Sequence, residues 1–216
     1  GADRSSVTMT GSVKFDALSP SLADATPHIT DDVLDCFGFA KKRLVFIAAS
    51  TLRGEEEHVL RVFTRIREVT SDALLIIAPR HPERFDEVHA MAEADGYRVQ
   101  VRSKLGGQDS DVPIVLLDTI GELASLFQIA SVVFVGGSLV PAGGHNFLEP
   151  AVFGKAIVVG PHMDNFAEIT SEFVAKQALV QVCNDRELEV ALVDLIRDVG
   201  RRERLGSAAR ELVKSC

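Results

Sequence analysis

Residues 136–150 read Gly-Gly-Ser-Leu-Val-Pro-Ala-Gly-Gly-His-Asn-Phe-Leu-Glu-Pro, which brings two glycine pairs, an imidazole, an amide and a carboxylate into one stretch. Glycine lacks a Cβ, so backbone N–H groups around Gly136, Gly137, Gly143 and Gly144 can close on an anion. A helix starting just downstream adds the positive end of its dipole. Phosphate binding is the first chemistry this suggests. The competing reading is that the glycines only make turns. Turns alone, however, do not call for His145, Asn146 and Glu149 beside them.

Other residues can share such a site. Arg80 and His81 follow an apolar run, and Arg80 either reaches a phosphate with its forked guanidinium or is a solvated strand-end residue. Ser50 and Thr51 follow another apolar run and serve equally well as ligand hydroxyls or as a helix N-cap pair. Glu122 and Glu149 each stand near the start of an expected helix, where an acid compensates the dipole. Glu149 has a second reading, as a carboxylate accepting from two ribose hydroxyls. Several alternatives lack their residues. No Gly-x-Gly-x-x-Gly follows the first apolar run, no Walker run ends in Gly-Lys-Ser/Thr, and the six histidines show neither His-Glu-x-x-His spacing nor cysteine companions. No bound metal is expected.

The elements that must hold these residues alternate. Apolar runs at 44–49, 74–78, 114–117, 132–135, 156–159 and 179–182, with an alternating piece at 97–101, read as strands. Helical spacing falls between them at 55–69, 82–95, 121–129, 148–153 and 166–176, and two more helices separated near Gly200 fill 185–213. Before them lie a β-prone piece at Val7–Thr10, a polar linker to residue 30, and a short helix over 31–37 capped by Thr30 with Asp31 and Asp32 in its first turn. Parallel strands need crossover helices, so the expected fold is α/β, a Rossmann-like doubly wound parallel sheet. Residues 1–30 are then an entry segment and 31–216 the domain. Ligands of such sheets sit beyond the carboxyl ends of the strands. Ser50, Arg80, Asp118 to Glu122, Gly136 to Glu149 and Gly160 to His162 all fall at that edge.

At 216 residues with 46% apolar content the chain can bury a core. A net charge of −8 argues against a nucleic-acid binder, which needs a basic face. Cys36, Cys183 and Cys216 are odd in number and widely spaced, so a reducing, cytosolic compartment is expected. No apolar run approaches the roughly 18 residues that span a bilayer, so the chain itself is expected to be soluble.

Several segments together carry a family resemblance. They are Ala48-Ala49-Ser50-Thr51 with Gly54-Glu55-Glu56, Pro79-Arg80-His81-Pro82-Glu83-Arg84-Phe85, Asp118-Thr119-Ile120-Gly121-Glu122-Leu123, Phe134-Val135-Gly136-Gly137-Ser138-Leu139, Gly143-Gly144-His145-Asn146 and Gly160-Pro161-His162. In order and spacing the chain resembles 3-deoxy-D-manno-octulosonic acid (Kdo) transferase, specifically the second, donor-binding half of its GT-B architecture. The resemblance implies an inverting glycosyltransferase moving Kdo from CMP-Kdo to lipid A precursor in Gram-negative lipopolysaccharide biosynthesis, at the cytoplasmic face of the inner membrane. Carried over by position, it implies CMP contacts at Pro79, Arg80, Ile120, Gly121, Glu122, Asn146, Phe147, Leu148 and Glu149. Ser50, Thr51, Gly143, Gly144 and His145 join as possible donor or phosphate contacts. It places the general base and the acceptor- and membrane-associating surface in the first domain, so no catalytic residue is expected among these 216. Leu52, Ala142 and Phe147 depart from the family's usual His, Arg and Pro. Other readings are a GT-B donor domain for a different nucleotide sugar, or a flavodoxin-like binding module without chemistry.

Overall fold

The computed structural model describes residues 36–106 and 111–215. The expected strand at 7–10, the linker, the helix opened by Thr30, the middle of the loop at 106–111 and Cys216 lie outside the described residues.

Among the described residues seven strands form one parallel sheet in the order β3-β4-β2-β1-β5-β6-β7. They are β1 (Val45–Thr51), β2 (Leu74–Pro79), β3 (Val99–Val101), β4 (Ile114–Leu116), β5 (Val132–Val135), β6 (Ala156–Val159) and β7 (Val180–Gln181). The central strands are unbroken apolar runs because both faces of the sheet are covered. Alternate residues go to alternate cores. Ile47, Ile76, Val133 and Ile157 face one core, and Phe46, Leu75, Phe134 and Val158 the other.

The helices are α1 (Glu56–Val69), α2 (Phe85–Ala94), α3 (Leu123–Leu126), α4 (Leu148–Val152), α5 (Ala167–Ala175), α6 (Asp185–Arg197) and α7 (Val199–Lys214). Helix α1 turns Val59, Leu60, Val62, Phe63 and Ile66 inward, the stripe its sequence spacing requires. Full burial of such side chains stabilises by roughly 1.5–3 kcal/mol each. On the other face, Leu148 and Ala151 of α4 pack with Phe173 of α5 and Ala209 of α7. From β1 the chain winds toward β2 and β4, then crosses to the other side of β1 for β5. The strand order therefore reverses between β1 and β5, and a crevice opens there beyond the carboxyl ends.

The differences from expectation are local. Strand β3 starts at Val99 because Tyr97 leaves the sheet to pack on Phe63, with ring centroids 5.5 Å apart, and its hydroxyl lies 2.8 Å from Thr64 Oγ1. The helix expected over 82–95 opens as a 3-10 turn at Pro82–Arg84. The one expected over 121–129 starts at Leu123 and ends as a 3-10 turn at Phe127–Ile129. The break between the last two helices is at Asp198, not Gly200. Asp198 is extended and its carboxylate accepts from the Arg201 N–H at 2.8 Å, so it caps α7. Among the described residues no helix is long and apolar enough to cross a membrane, and Cys36 and Cys183 are free thiols.

Candidate functional site

The carboxyl end of β1 departs from regular geometry. Its register against β2 shifts between Ala49 and Thr51, and the bulged residue, Ser50, takes φ 53°. A left-handed serine is strained, and such strain persists only where surrounding structure enforces it. The bulge aims Ser50 at the crevice. Thr51 goes the other way: it is fully buried and its Oγ1 donates to Glu56 Oε1 at 3.3 Å. Thr51 is thus withdrawn from the ligand contacts expected of it.

Glu55, between the β1 end and α1, has no exposed surface, and its carboxylate accepts from four backbone amides. Leu52 N–H and Gly137 N–H bind Oε2 at 2.9 and 2.8 Å, and Ser138 N–H and Leu139 N–H bind Oε1 at 3.0 and 2.9 Å. This corrects the phosphate reading of the first glycine pair. The amides do converge on an anion, but the anion is the chain's own. Gly136 is required for it, since a Cβ there would stand 2.6 Å from Ser50 O and 2.7 Å from Glu55 Oε2.

The second glycine pair is also engaged internally. Gly144 N–H donates to Gly137 O at 2.8 Å, Gly143 O accepts from Asn165 N–H at 3.0 Å, and both glycines are buried. His145 remains at the crevice, half-buried, with Nδ1 2.9 Å from Gly136 O. Burial pushes its pKa below the usual histidine value and the nearby Arg80 charge adds to this, while the Gly136 and Ser50 carbonyls and Glu55 oppose it.

Beyond His145 the expected contacts divide. Asn146 is exposed, and its Oδ1 accepts from Leu148 N–H at 3.0 Å while its Nδ2 donates to Glu149 Oε1 at 3.2 Å. Asn146, one residue before the N-cap position of the five-residue α4, thus has both ends of its amide engaged by the chain itself. Burial raises the Glu149 pKa, and the Asn146 bond partly offsets this. Phe147 and Leu148, 0% and 2% exposed, do not present side chains to a ligand. The Phe147 ring instead packs edge-on against Phe173 at 5.1 Å and Phe166 at 6.0 Å.

An open cleft of about 270 Å³ lies beyond β1, β2 and β4, walled by Ser50, Pro79, Arg80, Phe85, Thr119 and Ile120. Here the expectations meet. Arg80 is exposed; its backbone N–H donates to Thr51 O at 2.9 Å, but among the described residues its guanidinium makes no hydrogen bond or ion pair. Ile120 is 88% exposed, an apolar surface available to a flat ring. Gly121 also borders the cleft. Glu122 does not. Its carboxylate is taken by Arg102, with Nε at 2.8 Å and Nη2 at 3.1 Å, and by Thr119 Oγ1 at 2.8 Å. That pairing turns it away from a ligand.

Two buried acids escaped the reading of the residues. Besides Glu55, Glu56 is fully buried and pairs with Arg84 Nη2 at 3.1 Å. Desolvation raises the Glu56 pKa against the pull of Arg84 and Thr51. Gly54-Glu55-Glu56 after an apolar run was the available signal, but adjacent acids there look like an ordinary first helical turn.

Comparison with known proteins bears on the family and the fold. The family model of glycosyl transferases group 1 matches residues 37–212. The 3-deoxy-D-manno-octulosonic acid transferase of Haemophilus influenzae is 33% identical over 99% of this chain and 49% of its own length. That of Bordetella pertussis is 31% identical over 97% of the chain and 48% of its own length. The chain thus spans about half the length of these curated relatives. Among solved structures, the crystal structure of the C-terminal CMP-Kdo binding domain of WaaA from Acinetobacter baumannii superposes with a TM-score of 0.76 at 31% identity, covering 82% of this chain and 92% of that one.

Proposed function

The chain belongs to the glycosyl transferases group 1, within them to the Kdo transferases, and on that premise we propose that it is the donor-binding half of an inverting enzyme that transfers Kdo from CMP-Kdo to a lipid A precursor in lipopolysaccharide biosynthesis. The observation that carries this reading is the unpaired Arg80 beside an open cleft at the carboxyl ends of β1, β2 and β4. A guanidinium left free there is placed to bind the phosphate of a nucleoside monophosphate. Pro79, Ile120 and Gly121 flank the base, and Glu149 reaches the ribose by exchanging its Asn146 partner for sugar hydroxyls.

In the transfer itself an acceptor hydroxyl oxygen bonds to the anomeric carbon of Kdo as the bond from that carbon to the CMP phosphate breaks, the hydroxyl proton passes to the general base, and the departing phosphate gains charge. Arg80 stabilises that charge, and His145 and Ser50 complete the polar surface around it. The general base and the acceptor- and membrane-facing surface belong, in this reading, to the part of the relatives' length that the chain does not span. The full enzyme works at the cytoplasmic face of the inner membrane. No divalent ion takes part.

Calorimetric titration of the chain with CMP, UMP and FMN tests the proposal. Saturable binding of CMP in preference to UMP, unchanged by EDTA and without sugar transfer by the chain alone, is the expected result. Preference for UMP would indicate a different nucleotide-sugar donor, and preference for FMN a flavodoxin-like module. Loss of CMP binding on chelation would overturn the metal-free mechanism.

A further inference from the structure

Between the end of α5, strand β7 and helix α7 lies a cavity of about 500 Å³, larger than the nucleotide cleft and built from different elements. Arg201, Arg204, Leu205 and Ala208 line it from one face of α7, at the spacing that puts residues in a row along a helix. Lys176 and Gln177 close it from the α5 side, and the buried Leu179 and Leu205 give it apolar wall.

Among the described residues its cations have no carboxylate partner, a state they share with Arg80, Arg186, Arg197 and Arg210, but here they gather around one cavity. In a protein of net charge −8, Arg53, Arg61, Arg65, Arg84, Arg98 and Arg102 each pair with a carboxylate. Among the described residues, Lys176 and the Arg201 and Arg204 side chains pair with none. Helix position makes the arginines costlier still. Arg201 stands in the first turn of α7 and Arg204 just beyond it, with no acid in that turn, where the helix dipole disfavours positive charge. The neighbouring Arg202 escapes by reaching back to the Leu195 and Ile196 carbonyls at the end of α6. Asp198 is engaged as the cap of the Arg201 N–H.

The backbone adds an independent sign. Gln177 takes φ 54° just after α5, where Ala178 N–H closes on Phe173 O at 2.7 Å. That left-handed position after a helix usually goes to glycine. Gln177 borders the cavity from that left-handed position.

We propose that this cavity is a second ligand site, for a phosphate ester carried on an apolar body. An anion between Arg201 and Arg204 would satisfy both guanidiniums, while the leucines take the apolar part. Such an ester is either a lipid headgroup or a soluble organic phosphate. The site does not depend on the donor reading of the cleft.

Calorimetry on the chain with a short-chain phosphatidylglycerol below its micelle concentration, and in parallel with inorganic phosphate, tests this. Saturable phosphatidylglycerol binding that weakens about tenfold or more in the Arg201→Gln/Arg204→Gln variant, with CMP affinity unchanged, is expected. Phosphate binding with the same sensitivity would extend the site to soluble phosphates. Its absence beside lipid binding would assign the lipid source. No saturable binding of either probe, or equal binding by native and variant chains, overturns the proposal. Should the double variant misfold, Lys176→Gln at the exposed helix end carries the same test, and unchanged phosphatidylglycerol binding by it counts against the site.

Discussion

In the loop after β5 the amides of Gly137, Ser138 and Leu139 all point at the Glu55 carboxylate, and a Cβ on Gly136 would collide with backbone and carboxylate alike. In the loop after β4, Ile120 stands 88% exposed and a Cβ on Gly121 would meet nothing within 4 Å. Both loops leave the carboxyl edge of the same sheet. One is closed on itself and the other open to solvent. A glycine-rich loop signals close approach to something, and here that something is an internal carboxylate. The surface left open, and proposed to receive the nucleotide, is the loop with fewer glycines, next to the free Arg80 guanidinium.

The contrast can be broken most directly at Glu55. Glu55→Gln replaces an acceptor of four amides with a group that presents an N–H₂ to some of them, leaving buried donors unsatisfied. Stability measured by urea denaturation should fall by about 3 kcal/mol or more. A loss below about 1 kcal/mol would mean that the loop holds itself without the carboxylate.

Gly136→Ala and Gly121→Ala compare the loops sterically. The first forces a methyl group to within 2.6 Å of Ser50 O and should destabilise by roughly 2–3 kcal/mol. The second has room but a φ of 92°, so only backbone strain of about 1–2 kcal/mol is expected. Equal losses would erase the distinction between a closed loop and an open one.

Arg80→Ala probes the open side. CMP affinity should drop by about 1.5–3 kcal/mol while stability shifts by less than about 0.5 kcal/mol and cytidine binding is retained. If cytidine binding weakens as much as CMP binding, Arg80 serves the base or the fold and not the phosphate.

Glu149 sits between the two regimes, since its carboxylate has an internal partner in Asn146 and is proposed to exchange it for ribose hydroxyls. Its folded pKa is raised, mainly by burial. Such a group favours the fold while protonated, below its ordinary pKa near 4.3, and loses that contribution as pH rises through the folded value. Glu149→Gln should therefore stabilise the chain at neutral pH, with the advantage shrinking as pH falls toward 4. Its CMP affinity should fall by about 1–3 kcal/mol, non-additively with loss of a ribose hydroxyl in deoxy-CMP. Additive losses for both the 2′- and 3′-deoxy ligands would confine Glu149 to its first-turn place in α4 beside Asn146.

Much of this was legible in the chain itself. Seven apolar or alternating runs separated by helical spacing specify a parallel sheet covered on both faces, because period and length are local properties. β5 and β6 begin and end where their apolar runs do. The rule that ligands gather at the carboxyl ends of strands likewise brought Ser50, Arg80, Ile120 and His145 to one edge before any coordinates. Tertiary structure alone decided which of those residues stay available. Whether Glu122 faces a ligand or Arg102, whether Phe147 faces the crevice or Phe173, and whether the amides of the glycine loop hold a phosphate or Glu55 depend on partners 20 to 84 residues away. No local pattern encodes such partners. Hydrogen-bond capacity is finite, and only the folded chain shows which groups its own contacts have already satisfied.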